Sequence, residues 1–371
     1  MVANQLQHRR KLYFDLSSRI ALLDNARLQT LFEESDTLAS WGKNQVITLG
    51  RSKVFVKRIP VTDIEYDNMF STKNLYDIPT FYNYGFGSAG LGVFRELVTH
   101  IKTTNWVLSG EIATFPLMYH YRLIPFAGVH DDVDMESHAR YVKYWGSNAN
   151  IGRYMLDRAQ ARYELVLFLE KFPYTVADWI LDNPAKLPLI IADTRSSLAF
   201  MRKNGILHLD AHFYNMVTDG NHVYLTDFGL ALDKHFDLSP AERGFYKQHS
   251  DYDFGYLLWA IGFPLFSMYG KLSEPAKARL SEDYGIKEGA ASEEMVSLLL
   301  GNLEEIASRG ILPLHRDYAA TLARYRSVGD FMRDFYLKMR KNDAKDTPFD
   351  HKRLRRLLTD VGFDSDSISV G

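Results

Sequence analysis

Residues 204–231 read NGILHLDAHFYNMVTDGNHVYLTDFGLA. Asp210, Asn215 and Asp227 sit there among apolar neighbours, in a stretch otherwise patterned as strand, loop and strand. Buried polar groups need partners, so the stretch is either a metal or phosphate site or a well-hydrogen-bonded structural turn. Asn215 and Asp227 offer oxygens suited to a hard cation such as Mg²⁺ carried mainly on phosphates. Asp210, five residues before Asn215, can face the same site and accept or orient the proton of a hydroxyl nucleophile. Gly229 allows a sharp turn just after Asp227. Such a combination fits phosphoryl transfer, where positioning and electrostatics supply nearly all of the catalysis. His208 and His212 have the spacing of a helical zinc pair, but Leu209 stands where the hydrolytic motif needs glutamate, and the segment reads as loop.

The rest of the chain limits the setting. Its 371 residues, 46% apolar and 24% charged, suit a soluble globular protein of one large or two medium domains. A net charge of −2 gives no field to recruit nucleic acid or an anionic membrane. With no cysteine, disulfides, thiolate nucleophiles and Cys-type zinc sites are excluded. Asp15, Arg19, Asp24 and Arg27 interrupt the region after Arg9-Arg10, so no signal peptide is read there. The longest uncharged run, 254–270, is short for a membrane span and contains Pro264, so it reads as a buried core helix. The expected location is cytoplasmic.

Patterning predicts a helix over 12–34, three short strands between 37 and 61, an aromatic turn-rich stretch over 63–92, and an amphipathic helix carrying Phe94, Leu97, Val98 and Ile101 on one face. A strand pair is expected within 113–126, a polar helical insertion over 131–161, and a buried strand at 162–172. From Thr175 onward the pattern is mainly helical, with Thr175 or Asp178 as a cap and a helix ending at Gly205.

HLDAHFYN followed by TDFGLA resembles the catalytic loop and DFG segment of the protein-kinase-like superfamily, with His208, Asp210 and Asn215 in the H-x-D-x-x-x-x-N frame. The resemblance covers roughly 36–270 and implies an α+β, bilobal protein-kinase-like fold. Its parts would be an N-terminal helical extension (1–34), an N-lobe with a small antiparallel sheet and insertions (35–170), and a larger, mainly helical C-lobe with a C-terminal helical extension (171–371). It implies ATP and Mg²⁺ as cofactors. Lys57 in VFVKRI would pair with the nucleotide phosphates and be held by a helix glutamate, Glu96 first and Glu65 as rival. Asn215 and Asp227 would bind metal, Asp210 would align or deprotonate the acceptor hydroxyl, and His212 would lie near the γ-phosphate. Backbone around Leu169 and Glu170 would hold adenine, and Asp251 or Asp253 would brace the catalytic loop.

The departures from that family are specific. SWGKNQ has a single glycine, Gly42, where a glycine-rich phosphate loop is usual, so the cradle there is weak or made by another turn. Leu209 replaces the arginine that reads an activation-loop phosphate, which implies activity without that switch. His212 occupies the position where Ser/Thr kinases carry lysine, as in aminoglycoside- and choline-type small-molecule kinases. The expected function is transfer of the γ-phosphate of ATP to a hydroxyl, leaning to a Ser/Thr protein kinase because of DFG-L-A. The alternatives are a small-molecule kinase and a pseudokinase acting as a nucleotide-binding or interaction module. The acidic run DDVDME at 131–136 reads as a solvated loop, or as recognition of a cationic acceptor.

Overall fold

Asp24 breaks the expected N-terminal helix in two. In the computed structural model, which describes residues 2–38, 43–85, 87–289, 292–312 and 314–363, α1 spans Val2–Ala21 and α2 spans Asn25–Glu33. The Asp24 carboxylate accepts the Arg27 N–H at 2.7 Å, an N-cap that stops the chain from continuing as one helix. The protein is α+β and divides into two units. The first is Met1–Phe172 with Thr226–Tyr246 and Asp343–Lys345, and the second is Pro173–Leu225 with Lys247–Asn342 and Asp346–Gly371.

The first unit is built on a five-stranded antiparallel sheet. Its strands are β1 (Asp36–Leu38), β2 (Lys43–Leu49), β3 (Ser52–Val61), β4 (Met118–Pro125) and β5 (Tyr163–Glu170), in the order β1-β2-β3-β5-β4. Alternating burial along β3 sends Val54 and Val56 inward, the period-two pattern of a sheet with one covered face. After β3 come a short helix, α3 (Asp63–Asp67), and the amphipathic α4 (Val93–Ser109). Phe94 and Leu97 of α4 join Ile59, Met118, Leu165 and Leu167 in one core. The expected strand pair within 113–126 is a single strand, β4. Pro116 has no N–H to give to a ladder, and Arg9 takes the carbonyls of Ala113 and Phe115 as hydrogen-bond acceptors. The helical insertion is α5 (Met135–Tyr144) and α6 (Ala149–Ala159). With residues 75–91 it forms a second, aromatic core around Tyr82, Trp145 and Tyr154.

The second unit opens with β6 (Tyr174–Thr175) and α7 (Val176–Asp182), capped by Thr175, which accepts from the Asp178 N–H. Helix α8 (Leu187–Lys203) ends before Gly205, at φ +85°, a left-handed position that suits glycine. The opening stretch follows as β7 (Ile206–Leu207), a 3₁₀ turn at Phe213–Asn215, and the hairpin of β8 (Met216–Thr218) and β9 (Val223–Leu225). Strands β6, β8 and β9 form a small antiparallel sheet. Residues 226–246 belong to the first unit and contain β10 (Leu232–Asp233) and the start of α9 (Pro240–Gln248).

The second unit continues with α10 (Tyr252–Ala260), α11 (Pro264–Gly270), α12 (Glu274–Tyr284), α13 (Ser292–Gly301), α14 (Leu303–Ser308), α15 (Arg316–Lys341) and α16 (His351–Asp360). The uncharged run at 254–270 is therefore two helices broken at Pro264, and every residue of α10 is buried. A Cβ on Gly255 would lie 2.8 Å from the Leu354 side chain, so close packing onto α16 requires glycine there. No helix among the described residues is long and apolar enough to cross a membrane.

Candidate functional site

Within the first unit, β3 delivers Lys57 to two carboxylates. Its ammonium lies 2.7 Å from Glu96 Oε1 and 3.0 Å from Asp227 Oδ1. Burial works to lower the Lys57 pKa, but the carboxylates of Asp227 and Glu96 outweigh it and hold the amine above the ordinary lysine range. Burial likewise works to raise the Glu96 carboxyl, and Lys57, with help from His100, holds it below the usual glutamate range. Both groups are thus kept charged by each other.

Glu65, the rival partner, is spent elsewhere. Its Oε2 accepts the N–H and hydroxyl of Thr62 at 3.0 Å each, and its Oε1 accepts the Val93 N–H at 3.0 Å. It closes a capping box on α3 and satisfies an orphan donor at the start of α4. Glu65 thus places the helix that presents Glu96.

Asp227 has φ +61°, a left-handed conformation that costs a residue other than glycine about 1 kcal/mol or more. Gly229 stands in the turn expected there, closed by the Ala231 N–H on the Phe228 carbonyl at 3.0 Å, while the left-handed φ belongs to Asp227. A Cβ at 229 would touch Asp227 Oδ1 and Glu96 Oε2 at 3.4 Å each. Across from it, a Cβ on Gly90 would lie 2.7 Å from the Gly229 carbonyl oxygen. Two glycine backbones therefore meet beside the Lys57 cluster.

Within the second unit, the loop after β7 folds around Asp210. Asn215 donates through Nδ2 to the Asp210 carbonyl at 3.0 Å and to Asp210 Oδ2 at 2.9 Å. The Tyr256 hydroxyl on α10 donates to Asp210 Oδ1 at 3.3 Å, and His212 Nε2 lies 3.5 Å from that oxygen. The backbone closes the turn: His212 N–H donates to Asp210 O and Asn215 N–H to His212 O, both at 2.9 Å.

Of the two bracing candidates, Asp253 does the bracing. Its carboxylate accepts the His208 N–H at 2.8 Å and the Leu209 N–H at 2.7 Å. Those bonds secure Leu209, fully buried at φ +65°. Burial pushes the Asp253 carboxyl up to about 6, against the two backbone N–H groups that favour its charge. Asp251 instead pairs with Arg202 and Arg355, at 2.8 Å each.

Leu169 is a buried residue of β5. Glu170 is committed to structure: its carboxylate receives Arg9 Nε at 2.9 Å and Nη2 at 2.7 Å, and its N–H donates to the Leu117 carbonyl. Both that carboxylate and that N–H are therefore engaged within the fold. Gly42 lies outside the described residues. Asp134 of the acidic run N-caps α5, accepting the N–H groups of Glu136 and Ser137.

Sequence reasoning missed Arg9, Tyr256 and His100. His100 is fully buried, 3.7 Å from Glu96 Oε1, with its ring edge-on to Phe228 at 4.7 Å. Its spacing from Glu96, one helical turn on the same face, was a usable signal. Nothing in the sequence pointed Arg9 at Glu170.

The donor atoms suit Mg²⁺ and not a soft metal. In the second unit Asn215 spends its Nδ2 on Asp210, so its amide oxygen is the hard donor it can offer; in the first unit the Asp227 carboxylate, 43% exposed, reaches solvent. Among the described residues no group of three or more His, Cys, Asp or Glu side chains could hold a metal. No protein-family model matches the chain, and comparison with curated proteins finds no match.

Proposed function

We propose that the protein is a phosphotransferase with a protein-kinase-like bilobal fold, moving the γ-phosphate of ATP to a hydroxyl acceptor. The observation that carries this reading is the Lys57 ammonium held 2.7 Å from Glu96 and 3.0 Å from Asp227. A lysine kept charged on a strand, oriented by a helix carboxylate and adjoining the DFG aspartate, is the arrangement phosphate binding requires. ATP brings the phosphoryl group, and Mg²⁺ neutralises the charge on its phosphates. In the first unit Asp227 would hold the metal and Lys57 would bind phosphate oxygens; in the second unit Asn215 is the further oxygen donor that the resemblance implies. Asp210, fixed by Asn215 and Tyr256, orients the acceptor hydroxyl and receives its proton, with His212 beside it.

The acceptor class follows from DFG-L-A, which leans to a protein serine or threonine, against His212, which leans to a small alcohol. Mg²⁺-dependent ATP consumption that disappears in Asp227→Ala supports the reading. Nucleotide binding with no turnover across protein and small-alcohol acceptors would instead favour a nucleotide-binding module.

A further inference from the structure

Helix α4 carries two more cations, Arg95 and Lys102, that bind the segment following Asp227. Arg95 Nη1 lies 2.7 Å from Glu242 Oε1, with both side chains only 1% exposed. The Arg95 Nε also donates to the Thr72 carbonyl at 2.8 Å, and its guanidinium lies over the Phe236 ring. Glu242 is held in turn, its Oε2 accepting the Ser239 N–H while Ser239 Oγ accepts the Glu242 N–H, a reciprocal box at the start of α9. Further along α4, Lys102 pairs with Asp233, whose carboxylate is fully buried and also accepts the His235 N–H. Thr72 closes the far side by accepting the Asp237 N–H at 3.0 Å.

Buried ions are costly unless their geometry and remaining hydrogen bonds are satisfied, and removing one partner leaves an uncompensated charge. Segment 226–246 is therefore pinned to α4 at two separated points, one on each side of Glu96 in the sequence. We propose that Arg95–Glu242 and Lys102–Asp233 are positioning pairs that register this segment on α4 and so keep the Asp227 carboxylate on Lys57. The catalytic consequence rests on the phosphotransferase reading above, whereas the positioning itself does not.

The test reads Lys57 directly. The full-length protein and its Glu242→Gln, Lys102→Met and Arg95→Met/Glu242→Gln variants are treated with an amine-acylating reagent, and Lys57 modification is followed by mass spectrometry. The Lys57 amine is tied down between Glu96 at 2.7 Å and Asp227 at 3.0 Å, which shields it from the reagent, so release of the segment should speed its acylation by about threefold to tenfold in each single variant. The double variant, with no orphaned charge, should show less than Glu242→Gln alone, and Lys102→Arg should restore slow labelling. Unchanged Lys57 labelling in a folded Glu242→Gln or Lys102→Met protein overturns the proposal. If Glu242→Gln does not fold, Lys102→Met decides alone, since the Asp233 carboxylate keeps the His235 N–H and ring nitrogen as partners. In the kinetic arm, kcat for phosphate transfer should fall more than the nucleotide KM rises. A wild-type protein that transfers no phosphate, while Lys57 labelling still responds, would end the functional reading and leave the positioning role standing.

Discussion

Asn215 grips Asp210 twice, through the carbonyl oxygen at 3.0 Å and the carboxylate at 2.9 Å. One amide thus fixes both the loop backbone and the direction of the side chain. Asn215→Ala should cut transfer by about a hundredfold, the scale of losing a preorganised polar group. Asn215→Asp should do no better, since it sets a second carboxylate against Asp210 and disfavours ionisation of both. Steady-state kinetics checks this, and near-normal kcat in Asn215→Ala would show that Asp210 needs no such grip.

Lys57 and Glu96 hold each other charged, which gives a pH prediction. The raised lysine stabilises the fold below its unfolded pKa and loses that effect only as pH rises through its higher folded value. The lowered glutamate contributes above its unfolded pKa and loses that effect as pH falls through its folded value. Between about pH 5 and pH 10 the pair should therefore not titrate, and no limb of a pH–rate profile in that window should move in Glu96→Gln. That variant should instead lower kcat/KM by about a hundredfold at every pH.

Asp253 has the opposite sign. Its folded pKa of about 6 lies above the ordinary 3.8, so the native state holds a proton that the unfolded chain releases. This group's contribution to stability therefore falls as pH rises from about 4 to about 6 and is level beyond. Asp253→Asn should remove that fall from the unfolding free energy measured against pH. At pH 7 the variant should still be less stable by about 1–3 kcal/mol, because an amide oxygen replaces a carboxylate that accepted two N–H groups. An unchanged pH dependence in Asp253→Asn would rule out this assignment.

Leu209 opposes strain to burial. Replacing it with glycine relieves a left-handed φ worth about 1–3 kcal/mol, yet it removes a fully buried leucine side chain, whose loss costs about 3–5 kcal/mol. Leu209→Gly should therefore be net destabilising in chemical denaturation, and a more stable variant would show that strain dominates. Since leucine also leaves no guanidinium to read a phosphate, phosphatase treatment should leave activity intact.

The sequence was most legible where short-range chemistry repeats. The three strands between 37 and 61 and the amphipathic α4 stand where patterning placed them, because each is set by neighbours a few residues away. The break at Asp24 was legible as a cap and was overlooked. The lone β4 was harder to read, since Arg9, more than a hundred residues earlier in the chain, claims the carbonyls that a preceding strand would have used. The preference for Glu96 over Glu65 rests on the amphipathic helix alone; the hydrogen bonds of Thr62 and Val93 add that Glu65 is occupied elsewhere. Nor does the sequence reveal the strain on Leu209 and Asp227, because left-handed leucine and aspartate are permitted only by the tertiary contacts that hold them.

The most direct test of the central claim is transfer of label from γ-labelled ATP with Mg²⁺, comparing wild type with Asp210→Asn and resolving protein-bound from small-molecule products. The account predicts acid-stable label on a hydroxyl acceptor in the wild type. It also predicts loss of that label in Asp210→Asn with nucleotide affinity retained. Transfer that persists in Asp210→Asn at the wild-type rate, or no transfer to either pool by a wild-type protein that binds ATP, would contradict it.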